Sequence, residues 1–148
     1  MRIVHLAVAA AALAGSVMLS GPAAAQAPAA GGCYAGSMLN MTYGPRDTVT
    51  GTMSSCGSPL LPGVSGGLLT FSYPGVPFAG VFVPVPPGTG NVAWSNGQQS
   101  ALSGIYNQNV AVNTFAITGG AAAGHHLVVN ESIGRKGTDR LISALLAP

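Results

Sequence analysis

Charge is scarce in this chain. Of 148 residues, 5 are lysine or arginine and 3 are aspartate or glutamate. Nucleic-acid binders grip phosphates with clustered cations, so this balance excludes that class of partner. Ordinary disorder pairs high charge with low hydrophobicity, and a chain that is 5% charged and 48% apolar has neither. Surface solubility must then come from Ser, Thr, Asn, Gln and exposed backbone. Long apolar runs are missing after residue 25. None approaches the ~20 residues that a spanning helix needs.

The first 25 residues do contain an apolar run. Met1 and Arg2 give a positive start, residues 3–19 carry no Asp, Glu, Lys or Arg, and Pro22 breaks the run. Ala23, Ala24 and Ala25 then offer small residues to a peptidase. This is the layout of a secretory signal peptide over residues 1–25, cleaved near Ala25. The expected location is secreted, either extracellular or associated with the envelope. Residues 26–32 read as a flexible spacer, and residues 33–148 as one domain. Residues 30–33 only partly resemble a lipobox, because Ala30 stands where Leu is expected and the apolar run ends upstream at Leu19.

Two cysteines are present, Cys33 and Cys56. In an exported chain a single pair reads as one disulfide, worth roughly 3 kcal/mol by loop entropy. Glycine and proline, 22 and 11 in all, punctuate apolar stretches without a repeat period, which marks turns.

Strand signals dominate from residue 34 onward. Residues 37–43 and 48–54 form a candidate hairpin around the turn 44–47, with the cysteines joining its outer ends. Residues 57–67 form a loop and 68–73 a strand. Residues 74–87 are apolar but broken by five prolines, so only 78–83 could be a central strand. Val83, Pro84, Val85, Pro86 and Pro87 should be extended, exposed and available to a partner. Asn96-Gly97 between two strand-like runs predicts a type I′ hairpin. Residues 109–118 alternate, with Ala111, Asn113, Phe115 and Ile117 on one face and Val110, Val112, Thr114 and Ala116 on the other. Residues 119–124 read as a flexible connection and 125–133 as another strand. Residues 140–147 fit helical spacing and strand alternation alike; the surrounding β signals favour a strand. The fold class is all-β: a small antiparallel sandwich or barrel with one disulfide.

Chemical motifs are weak. Gly63-Val64-Ser65-Gly66-Gly67 matches G-x-S-x-G, yet a strand follows Ser65 where a nucleophile elbow needs a helix. His125 and His126 are neighbours on a strand and point to opposite faces, so they cannot share a metal from there. Glu131, Asp47 and Asp139 would have to converge in pairs for acid–base work on a glycoside. Arg135, Lys136 and Arg140 could touch an anionic wall polymer or lipid headgroup. Trp94 could stack on a sugar, but on a strand it reads as core. The sequons at Asn40 and Asn130 matter only in a eukaryotic host. No catalytic, metal or cofactor residues are assigned.

The stretch Val92, Trp94, Asn96, Gly97, Ser100 resembles a hairpin of small secreted β-proteins of actinobacteria, which carry Thr/Val-x-Trp-x-Asn/Asp-Gly-x-x-Ser. A later Gly120-x-x-x-Gly124 before an alternating strand is similar too. The resemblance covers the second half of the mature chain. It implies export and β architecture, and it supplies no activity and no catalytic residues. The leading functional expectation is a non-catalytic secreted or envelope module. A second is an exported inhibitor or effector presenting the proline-rich segment, and a third is an enzyme. Low charge and a partly uncovered apolar stretch point to an envelope partner or self-association.

Overall fold

The computed structural model describes residues 30–75, 87–134 and 138–148. The signal peptide expected over 1–25, the strand expected over 78–83, and Val83, Pro84, Val85, Pro86, Arg135 and Lys136 lie outside the described residues.

Nine strands follow one another: β1 (Gly32–Gly36), β2 (Asn40–Thr42), β3 (Arg46–Gly57), β4 (Gly66–Pro74), β5 (Gly88–Trp94), β6 (Gln99–Gly104), β7 (Val112–Gly120), β8 (His126–Ser132) and β9 (Arg140–Ala147). Strands β3 to β9 form a meander in which each pairs antiparallel with the next. β1 lies between the two ends of that meander. Gly32 opposes both Gly57 of β3 and Leu145 of β9. The sheet therefore closes on itself as an eight-stranded antiparallel barrel, with β2 added on β3. Closure removes the unpaired edges that so few charges would otherwise leave unprotected.

Of the two architectures expected, the barrel is the one adopted. Residues 140–147 are strand, with Leu141, Ala144 and Leu146 turned inward. The expected hairpin strand over 37–43 is divided. Its start belongs to a connection in which Ser37 donates to Thr52 O at 3.0 Å, and only residues 40–42 form β2. The spacer expected over 26–32 loses its last residue, because Gly32 already pairs on both sides.

The hairpin at Asn96-Gly97 differs in type. Gly97 has φ +83°, but Asn96 does not share the positive φ that a type I′ turn requires. Gly97 N donates to Trp94 O at 3.0 Å, and Trp94 N to Gln98 O at 2.9 Å. Ser95 and Asn96 thus form the turn and Gly97 the left-handed bulge, a three-residue loop. The reason is tertiary. Ser95 Oγ accepts from Ser65 N (2.9 Å) and Gly66 N (3.1 Å), which recruits Ser95 into the loop.

Side chains fill the interior. Phe71, Phe115, Leu102, Leu127, Leu141 and Val92 are essentially inaccessible to solvent. An eight-stranded barrel is just wide enough for side chains to occupy it, and the filling here is apolar. The outward positions are mostly small and polar. Thr50, Thr70 and Asn91 adjoin in one row across β3, β4 and β5. A barrel set in lipid has the reverse polarity.

Both ends are covered. At one, the plug end, residues 58–65 fold inward and bury Leu61 and Val64 in the core. The loop is fixed by Ser58, whose hydroxyl donates to Ala30 O, and by Asn96 Nδ2, which donates to Pro62 O at 3.0 Å. The Cys33–Cys56 disulfide, formed as expected, joins β1 to β3 at this end. At the other end, the mouth, residues 105–111 fold over the opening. Tyr106 is buried there, its ring 5.4 Å from that of Tyr73. Tyr43 Oη reaches Gln108 Oε1 at 3.5 Å from the opposite side.

Candidate functional site

The fold sorts its polar chemistry to one end. Among the described residues every Asp, Glu and Arg side chain lies at the mouth: Arg46 and Asp47 open β3, Glu131 sits near the end of β8, and Asp139 and Arg140 lead into β9, while His125 and His126 stand at the plug end. The cause is elementary. The interior admits apolar side chains and the wall carries hydroxyls, so carboxylates and guanidinium groups remain near an end, where loops meet solvent.

Glu131 is the exception, because it points inward. Leu127 and Val129 precede it on the inner face of β8, and the two-residue alternation carries Glu131 to the same face. A carboxylate at such a place must be hydrogen-bonded. Tyr106 Oη donates to Glu131 Oε2 at 2.9 Å, and Asn113 Nδ2 lies 3.4 Å from Oε1. Asn113 in turn holds the loop backbone. Its Oδ1 accepts from Asn107 N at 2.8 Å, and its Nδ2 donates to Asn107 O at 3.2 Å. Glu131 N also donates to Ala111 O at 2.8 Å. Residues 105–111 are therefore a lid pinned from inside, with Glu131 and Asn113 as its anchors.

Burial raises the Glu131 carboxyl to about 6, against the pull of the Tyr106 and Asn113 donors and with a further push from Asp139. Tyr73 is raised to about 12, first by burial and then by Asp47. Tyr106 is raised further still, by burial and by the neighbouring Glu131 charge. Asp139 is buried and caps the β8–β9 connection, its Oδ1 accepting from Gly134 N at 2.8 Å. Asp47 Oδ1 likewise accepts from Gly44 N at 3.0 Å.

A second buried polar relay lies at the plug end. Trp94 Nε1 donates to Ser100 Oγ at 2.8 Å, and Ser100 Oγ donates to Ala121 O at 2.6 Å. Trp94 is core, as its strand position implied.

The residues singled out from sequence are scattered. Ser65 is exposed at the plug end beside Ser95, with oxygens 3.1 Å apart, and β4 follows it directly. His126 is exposed with Nδ1 3.1 Å from Pro148 O, while His125 is half-buried with Nδ1 enclosed. Asn130 donates to Ser143 Oγ at 2.9 Å on the wall. Pro87 is exposed at the mouth, where β5 begins. The carboxylates do gather at one end. Tyr73, Tyr106 and Asn113 complete that cluster and were not singled out. The inward register of Glu131 was the signal available for them. Among the described residues no group of three His, Cys, Asp or Glu side chains is placed to hold a metal ion.

Comparison with protein-family models, with curated proteins and with solved structures finds no match to this chain. What is shown is the class: a small, disulfide-bonded, closed antiparallel β-barrel.

Proposed function

We propose that the chain is an exported, non-catalytic module of the cell envelope whose contact surface is the mouth of the barrel. The observation that carries this reading is the sorting of every described charged side chain to that end, on and around loops, while the wall between the ends is hydroxyl-lined. Loops held by a rigid barrel are the usual place for recognition. Export is supported by the leader-like residues 1–25, by the disulfide, and by the resemblance to small secreted actinobacterial β-proteins.

An exported inhibitor or effector that presents the proline-rich connection is the second reading. It is favoured by one observation: both described flanks of that connection lie at the mouth. Gly75 N donates to Pro45 O at 3.3 Å, and Pro87 is exposed.

Fractionation of cells producing the full chain tests the first reading. The processed protein should start near Gln26 and partition with the envelope. A strictly monomeric protein found only in the medium would overturn it. Alanine substitution at Val83, Pro84, Val85, Pro86 and Pro87 separates the two readings by its effect on binding. Hydrolase activity lost on Ser65→Ala or His126→Ala would replace both with an enzyme.

A further inference from the structure

Asn96 and Gly97 stand at the tip of the β5–β6 hairpin, and Asn96 is the one asparagine of the chain that glycine follows. That pair is chemically labile. The backbone nitrogen after an asparagine can attack the side-chain amide, and glycine has no Cβ to hinder the approach. At Gly97 the space is open: a Cβ built there would meet nothing within 4 Å. Yet every reacting group is engaged. The nucleophile, Gly97 N, donates to Trp94 O at 3.0 Å. The leaving nitrogen, Asn96 Nδ2, donates to Gln98 Oε1 at 2.8 Å and to Pro62 O at 3.0 Å, and Oδ1 accepts from Gln98 N at 3.1 Å. Pro62 is the partner from outside the hairpin; it belongs to the plug loop, 34 residues away in sequence. Ser95 ties the hairpin tip to the end of the same loop by accepting from Ser65 N and Gly66 N. The seat of the plug and the protection of Asn96 therefore share one set of hydrogen bonds.

We propose that Asn96 is a deamidation site governed by the plug loop, and that its modification makes plug opening one-way. While residues 58–65 are seated, Gly97 N and Asn96 Cγ are held out of reaction. When they lift, solvent hydroxide removes the Gly97 amide proton, the nitrogen bonds to Asn96 Cγ, and the Cγ–Nδ2 bond breaks. Nδ2 takes a proton from water and leaves as ammonia. Water then opens the cyclic imide, at Cγ to give aspartate or at the Asn96 backbone carbonyl to give isoaspartate. Nothing is oxidised or reduced, and water is the co-reactant. The product no longer fits. A carboxylate accepts and does not donate, so it sets oxygen against Pro62 O and Gln98 Oε1, where the amide had bonded both. Gln98 can turn its amide to donate, but the Pro62 carbonyl has no such choice. The plug keeps the burial of Leu61 and Val64 and loses its anchor on the hairpin tip. This site lies at the end opposite the mouth and does not rest on the envelope reading.

Peptide mass spectrometry of the purified, oxidised protein, incubated in mildly alkaline buffer, tests the proposal. Asn96 should gain the mass of an NH-to-O exchange slowly in the folded protein and faster in urea. Ser95→Ala frees Ser65 N and Gly66 N and leaves Asn96-Gly97 intact. It should speed modification of the folded protein roughly fivefold, the population change that loss of one ordinary hydrogen bond brings. In urea the two proteins should match. Equal folded rates for the two, or a folded wild type as fast as in urea, overturns the control by the plug. An Asn96 that stays unmodified in both folded proteins overturns it too. Asn96→Asp supplies the product directly. Hydrogen exchange at Leu61 N and Val64 N, which donate to Ser58 O and Leu61 O in the seated loop, should then rise roughly fivefold. Unchanged exchange overturns the one-way step. Near-ultraviolet circular dichroism verifies the fold of each variant. If Ser95→Ala does not fold, wild type in sub-denaturing urea decides: modification and exchange at Val64 N should rise together, and a rise in one alone overturns the proposal.

Discussion

Phe71 and Phe115 meet ring to ring, centroids 4.5 Å apart, although two strands separate the strands that carry them. The intervening strands make room. Gly90 of β5 pairs with Phe71, and Gly104 of β6 pairs with Phe115, so each ring lies over a residue without a side chain. A Cβ at Gly90 would stand 2.6 Å from Phe71 Cδ2, and one at Gly104 would stand 3.2 Å from Phe115 Cδ1. Two glycines and two phenylalanines thus form one packing unit across four strands.

That unit predicts paired outcomes in urea titration. Phe71→Ala or Phe115→Ala should cost about 3–5 kcal/mol, the usual loss for an emptied aromatic site. Gly90→Ala should also destabilise, by about 3 kcal/mol, through overpacking. A Cβ there would come closer still to Thr70 O, so a neutral Gly90→Ala would show that the β4 backbone as well as the Phe71 ring gives way and that the unit is looser than its geometry implies.

The disulfide spans 23 residues and ties the closing strand to β3. Reduction, or Cys33→Ser with Cys56→Ser, should lower stability by roughly 3 kcal/mol. The check is the shift in urea midpoint between oxidised and reduced protein; coincident curves would contradict the prediction.

Glu131 predicts a pH dependence of defined sign. Its folded pKa, about 6, lies above the ordinary 4.5, so the folded chain holds the proton more tightly than the unfolded chain does. Stability should be greatest below pH 4.5, fall as pH rises to 6, and be lower by about 2 kcal/mol at neutrality. Glu131→Gln should flatten this slope and stabilise the protein at pH 7 by up to that amount. The Gln amide can keep both contacts, its Oε1 accepting from Asn113 Nδ2 and its Nε2 donating to Tyr106 Oη. Urea titrations at several pH values supply the measurement, and a wild-type slope of opposite sign would refute the assignment.

Ser100→Ala should leave Trp94 Nε1 and Ala121 O unpaired in the interior. Each orphaned buried group costs about 1–3 kcal/mol. Trp94 is the one tryptophan of the chain, so its emission reports the site directly. An unchanged spectrum with unchanged stability would mean that water replaces the serine hydroxyl.

Much of the barrel was readable residue by residue. The alternation at Asn113, Phe115 and Ile117 appears as the inner face of β7, although the strand starts at Val112 and leaves Val110 and an exposed Ala111 in the lid, and the strand reading of 140–147 holds because Leu141 and Leu146 need the inner face of a closed sheet. Local chemistry misled where a distant group intervened. Asn96-Gly97 favours one turn by itself, and Ser95 shifts it by reaching to Ser65 and Gly66. The mouth was hidden for the same reason. Tyr106, Asn113 and Glu131 are brought together by three elements, and no spacing along the chain reports that. Only the odd placement of an acid in the apolar register of Leu127 and Val129 hinted at it.

The seam between β1 and β9 sets a rule for how the molecule comes into being. β1 must wait for β9, since Gly32 takes its second partner from Leu145. No length of chain short of β9 can complete the ring, however much of the meander has already formed. Ring closure is thus the step that waits for β9, and slow closing is expected when contacts span so much sequence.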